Sequence, residues 1–135
     1  MIEDAVVAIL LADAGVTALV ADRVLAPPAA LGTQAPYVTH RRLATTRVRA
    51  LAGPSGLADA RLRLDCWGRD RAGVSGAAEA ADVAQAVRRA LDGFAGTAAG
   101  VAVRASTLSD EANAFESDTR LHRVSLDFLI SFVES

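Results

Sequence analysis

Apolar and polar residues alternate most regularly near the end of the chain. Across Thr119–Val133, Val124, Leu126, Phe128, Ile130 and Phe132 fall on one side, with Arg123, Ser125, Asp127 and Ser131 on the other. That period of two predicts a strand with one buried face. It is a long strand, and the rest of the domain is expected to pack against it. The same alternation predicts strands over Ala60–Trp67, with Ala60, Leu62, Leu64 and Cys66 inward, and around Val101, Val103 and Ala105. Tyr37–Leu43 is a further strand whose two faces are both mixed, as on a sheet edge or under a neighbouring subunit.

Helical spacing accounts for much of the remainder. Ile2, Val6, Ile9 and Leu10 share a face over Ile2–Asp13, with Glu3 and Asp4 in the first turn, where the helix dipole favours acid, and Gly15 as a stop. Val16, Leu19 and Val20 predict a second, short helix over Val16–Ala21. Ser75 can cap a helix reaching about as far as Asp92, with Ala80, Val83, Ala84, Val87 and Leu91 on its core face and Gly93-Phe94 as its exit. Pro27-Pro28 and Gly32 exclude regular structure over Ala26–Ala35, and Gly68–Gly73 reads as a charged turn. Ala44–Leu57 loses the pattern and is expected to be a long hairpin tip or an arm, and Thr107–Asp118 a polar, acidic connector.

These elements predict one α+β domain over residues 1–135. Its sheet would be four-stranded and mostly antiparallel, with helices on one face and a long loop between the first two strands. The strand–helix–strand unit from Ala60 to Ala105 would be a right-handed crossover if its strands are parallel.

Composition narrows the function classes. At 135 residues the chain can bury roughly two thirds of its unfolded surface without a metal or disulfide. A net charge of −2 and a pI of 5.6 give no global attraction to nucleic acid or anionic lipid. All 14 cationic residues are arginine, which fits a GC-rich coding sequence, although arginine also suits bidentate contacts at interfaces. Met1 is followed by Ile-Glu-Asp rather than a basic leader, and no apolar run approaches the roughly 20 residues that span a bilayer. A soluble protein made in the cytoplasm, with no membrane partner, is expected.

No arrangement of residues announces catalysis. Cys66 sits inside a strand pattern as a small hydrophobe, His40 and His122 lack a third ligand at metal spacing, and Gly53-Pro54-Ser55-Gly56 lacks the lysine of a phosphate loop. The expectation is a protein without enzymatic activity, cofactor or metal. The denser signal is Arg41, Arg42, Arg47 and Arg49, with Arg61 and Arg63 on the next strand. A solvated hairpin, a partner interface matching acidic residues such as Asp110 and Glu111, and phosphate contact all fit this cluster. The absence of interleaved aromatics disfavours a single-strand nucleic-acid platform. Trp67, outward at a strand end, calls for a loop or a partner over it.

Several stretches taken together resemble a known family. MIEDAVVAILLADAGVTALVADRV at the start, LAGPSGLADARLRLDCWG, AADVAQAVRRALDGFAGT and LHRVSLDFLISF are similar to the small tail-completion proteins of long-tailed bacteriophages and of phage-derived particles such as gene transfer agents. The resemblance implies a tail terminator: a ring, generally a hexamer, on the head-proximal end of the tail tube. Such a ring stops polymerisation of the major tail tube protein and offers its other face to the head connector or neck protein. DNA would only pass through its lumen. The implied location is the tail of a virion or phage-like particle. Tyr37, Arg41, Arg42, Arg47, Arg49, Trp67, Asp110 and Glu111 are the expected interface residues. A head-completion or neck protein of the same kind of particle is the near alternative, and a small DNA-binding regulator is the alternative from another class.

Overall fold

The computed structural model describes residues 1–28 and 32–134. Two helices, α1 (Ile2–Leu11) and α2 (Ala14–Val20), precede β1 (Val24–Leu25), β2 (Tyr37–Ala50) and β3 (Gly53–Arg69). Then come α3 (Gly76–Leu91), β4 (Gly96–Ala98), β5 (Val101–Glu116) and β6 (Leu121–Val133). The strands form one sheet in the order β1-β2-β3-β6-β5-β4. Every neighbouring pair is antiparallel except β1 with β2. The class is α+β as expected, but the four-stranded, mostly antiparallel sheet is corrected to a curled, mixed sheet of six strands.

The two added strands are two and three residues long, too short for an alternation to show. β4 turns into β5 through Ala99 and Gly100, with φ of 48° and 77°, the left-handed pair that a two-residue hairpin uses. The larger correction concerns the two stretches read as unpaired. No long loop separates the first two main strands: β2 runs to Ala50, turns through Leu51 and Ala52, and β3 begins at Gly53. Nor is Thr107–Asp118 a connector, because β5 stays paired with β6 as far as Glu116, which lies opposite Leu121. Both ribbons lose burial along their length, so water on both faces removes the alternation by which a strand is recognised. The connector expected over Ala26–Ala35 falls partly on residues 29–31, outside the described residues.

The long strand that organises the pattern lies inside the sheet. β6 is hydrogen-bonded to β3 on one side and to β5 on the other, so β3 and β5 run parallel with β6 between them. Its apolar face carries Leu126, Phe128 and Ile130 into a core shared with Leu62 and Leu64 of β3. α1 adds Ile2, Val6 and Leu10 to that core, and α3 adds Ala80, Val83, Val87 and Leu91. Ser75 caps α3 as expected, accepting from the Ala78 N–H at 3.2 Å. Gly15 is not the stop of α1: that helix ends at Leu11, and Gly15 lies inside α2, whose start Asp13 caps by accepting from the Val16 N–H at 3.0 Å.

α3 meets the sheet through two glycines. A Cβ on Gly68 would lie 2.2 Å from the Gly76 carbonyl oxygen, and one on Gly76 would lie 2.7 Å from the backbone of Arg69 and Asp70. Around this contact Asp70 accepts from the Gly76 N–H at 2.8 Å and lies 3.0 Å from His122 Nε2. The bond with His122, then the one from Gly76, hold the Asp70 carboxyl below the usual range. Glu79 is lowered by its bonds with Arg71 against the opposing effect of burial. Burial pushes Glu3 up, and its bonds and charge pairing with Arg42 more than reverse this, leaving it lowered. Each of these carboxyls binds its proton more weakly folded than unfolded, so stability is full above the unfolded carboxylate range and falls as pH drops through it. The thermal midpoint should therefore fall below about pH 4, beyond a gentler fall that starts in the imidazole range because buried His40 also binds its proton more weakly folded, and the acid fall should be shallower in Asp70→Asn. A decline unchanged in that variant would exclude Asp70 as a contributor.

Candidate functional site

The face of the sheet away from the helices is a grid whose rows follow from the strand register. One row reads Arg41 on β2, Arg63 on β3, Asp127 on β6 and Asp110 on β5. The inner pair is joined twice, Arg63 Nε to Asp127 Oδ1 at 2.8 Å and Nη2 to Oδ2 at 3.1 Å. The outer two are exposed, and among the described residues neither makes an ion pair. Asp110 accepts only from the adjacent Glu111 N–H, at 2.9 Å. In the neighbouring rows Ser125 donates to Asp65 and Ser131 to Asp59, each at 2.5 Å. This face is polar, internally bonded and uncovered.

One end of it is apolar. Tyr37 is buried and stacks on Trp67 with ring centres 5.9 Å apart, joined by Ala35 and Leu121. Trp67 Nε1 donates to Thr39 Oγ1 at 3.0 Å, and the Arg123 guanidinium lies 5.6 Å from the indole centre. Burial raises the Tyr37 phenol above its ordinary range. Tyr37 and Trp67 thus find their partners within the chain.

The arginine cluster divides between two faces. Arg41, Arg61 and Arg63 lie on the helix-free side, whereas Arg42 and Arg47 lie on the helix side, opposite Leu62 and Ala58. Arg42 grips Glu3 through Nε at 3.0 Å and through Nη2, and its Nη1 donates to Thr45 at 3.2 Å. Arg47 grips Glu134 at 2.7 and 2.8 Å. Arg49 is exposed beside the β2–β3 turn. Glu111 is exposed on the helix side, opposite Leu126.

Reactive chemistry has little to work with. Cys66 is fully buried and its thiol is pushed up by that burial, away from thiolate formation. His40 lies opposite Leu64, and His122 lies opposite Gly68 with its ring tilted against Phe115 at 4.5 Å, so the two imidazoles do not share a row. Burial lowers His40 below the usual imidazole range, keeping it neutral at pH 7. Among the described residues no group of three metal-ligating side chains converges. No described helix is long and apolar enough to cross a membrane.

The family described as Tail completion protein gp17 matches residues 4–132. The chain belongs to that family. This tail-completion protein is therefore a structural component of a phage-like virion, located in its tail. Its fold is similar to that of a chain in a solved structure titled Virion of native gene transfer agent (GTA) particle. The TM-score is 0.75 at 24% identity, covering 96% of this chain and 92% of that one. No curated protein matches.

Sequence reasoning missed three features of this tail-completion protein. The Arg63–Asp127 pair could not be matched without the register of β3 on β6. The Gly68–Gly76 contact left only two unremarkable glycines in the sequence. Phe115, 53% exposed on the far half of β5, was hidden inside a segment read as a connector.

Proposed function

We propose that this tail-completion protein is a tail terminator. Copies of it form a ring, with six expected, on the head-proximal end of the tail tube. The ring stops addition of the major tail tube protein and presents its opposite face to the head connector. The family match over residues 4–132, nearly the whole chain, carries this reading. The distribution of charge supports it. The net charge is −2, and within the cluster of Arg41, Arg42, Arg47, Arg49, Arg61 and Arg63 three side chains, Arg42, Arg47 and Arg63, are held by Glu3, Glu134 and Asp127, which weakens its pull on phosphate. DNA could then pass such a ring without being retained, and the duplex affinity and steep salt dependence of a DNA-binding regulator are not expected.

The test is tube length. Purified chain added to growing tubes of the major tail protein should appear at one end in electron micrographs and stop elongation there. Tubes that keep growing with bare ends would overturn the reading.

A further inference from the structure

β2 and β5 are outer strands for much of their length. β1 covers β2 only at Val38 and Thr39. β4 covers β5 only at Val101–Val103. The end of α3 extends that cover slightly, because the Gly93 N–H donates to the Ser106 carbonyl at 2.7 Å and the Leu108 N–H donates to Asp92 Oδ1 at 3.0 Å. Beyond these points, His40–Ala50 and Asp110–Glu116 have no strand on their outer side among the described residues. A free strand edge is a template for another strand.

The two edges are opposite in charge. His40–Ala50 holds Arg41, Arg42, Arg47 and Arg49 and no acid, with Arg42 and Arg47 paired to Glu3 and Glu134 and Arg41 and Arg49 left to carry the edge's charge; Asp110–Glu116 holds Asp110, Glu111 and Glu116 and no base. Each also exposes large apolar side chains, Leu43 and Val48 on the first and Phe115 on the second. Charge alone protects an edge from all partners. Charge of one sign on each edge blocks like pairing and admits the unlike pair, and the apolar groups give that pair something to bury.

We propose that copies of this chain join head to tail, the His40–Ala50 edge of one beside the Asp110–Glu116 edge of the next. This rests on the ring reading above and names the contact that closes the ring. A contact between two different patches closes when the rotation between copies returns to its start. Strand directions alternate across β2, β3, β6 and β5, so rotation about an axis along the strands sets β2 of one copy antiparallel to β5 of its neighbour.

The register follows from where the free segments lie. Asp110 is level with Arg41, and Ala112 with Thr39, so the free parts occupy opposite ends of the sheet. Full overlap needs a slide of about five residues, the stagger that four strands ~4.8 Å apart accumulate when tilted by roughly 40°. In that register Ala112 faces Ala44 of the next copy, and both are exposed on the helix-free side.

The test is a disulfide across that pair. Within one chain β3 and β6 put at least roughly 14 Å between Ala44 and Ala112, too far for an internal bridge. Cys66 is buried and cannot compete. Oxidised after assembly on tail tubes, the Ala44→Cys/Ala112→Cys chain should run as a ladder of linked copies, whereas either single variant should give none. In parallel, Arg41→Glu/Arg49→Glu should weaken association by about tenfold or more, and adding Asp110→Arg/Glu111→Arg should restore it. All four side chains are exposed, so folding can be verified independently. A response to charge reversal without the cross-link upholds the edge pairing and moves its register. Rings that neither cross-link nor respond overturn the edge pairing and leave the ring reading intact; absence of any ring, free or on tubes, overturns both.

Discussion

Gly68→Ala should lower stability by about 3 kcal/mol or more, the upper range for forcing atoms into filled space, and Gly76→Ala should follow closely. The added methyl on Gly68 would stand 2.2 Å from the Gly76 carbonyl oxygen and 2.8 Å from the Ala80 nitrogen. These are backbone atoms, so no side chain can swing aside. On Gly76 the methyl would also stand 2.8 Å from His122 Cδ2. Relief requires the start of α3 to lift from the end of β3, which breaks the Asp70 bonds to Gly76 and His122. For a domain of this size such a loss is a fall of roughly 10 °C in the thermal midpoint. Melts within a degree or two of the parent for both variants would show that the helix is not seated on those glycines.

Phe128→Ala should cost about 3–5 kcal/mol, since a buried phenyl loses both its transfer energy and the packing around it. Phe128 is fully buried on β6, with Leu62 of β3 and Leu108 of β5 opposite it in register. Its loss opens a cavity at the middle of the sheet, where neighbours on two strands cannot both collapse. Against a total stability of about 5–15 kcal/mol, the variant should be marginal at 37 °C. Urea unfolding measures this directly. Phe115→Ala provides the contrast: that ring is largely exposed and its contact within the chain is with the His122 ring, so the monomer should lose far less stability than with Phe128→Ala while association weakens. A small effect at Phe128 would contradict a single core shared by the helices and β6.

The elements that bury one face were legible from residue pattern alone. Val124 to Phe132 and Ala60 to Cys66 alternate because α1 and α3 cover one side and leave the other polar. Gly93 and Ser75 marked the ends of α3 because capping chemistry is local. What escaped the sequence was structure without a buried face. Thr45 to Ala50 and Asp110 to Glu116 are strands only by virtue of a hydrogen-bonded partner, and water on both sides leaves no period to read. Likewise, Arg41, Arg42, Arg47 and Arg63 form a cluster in sequence, but alternation and the bulge between Arg42 and Ala44 send them to different faces, and Arg42, Arg47 and Arg63 to different acids. Tyr37 and Trp67 lie opposite each other on neighbouring strands, so their stacking shows only once the register is known. The pairing of Glu3 with Arg42 joins segments 39 residues apart, and no spacing rule reaches that far.

As a tail terminator, this chain would work by associating with itself at the end of a tube. Light scattering of the purified chain, alone and mixed with the major tail tube protein, measures that association. A closed multiple of 14.0 kDa is expected, either in free solution or on tube ends whose growth then stops. A 14.0 kDa monomer that stays monomeric beside elongating tubes would contradict it.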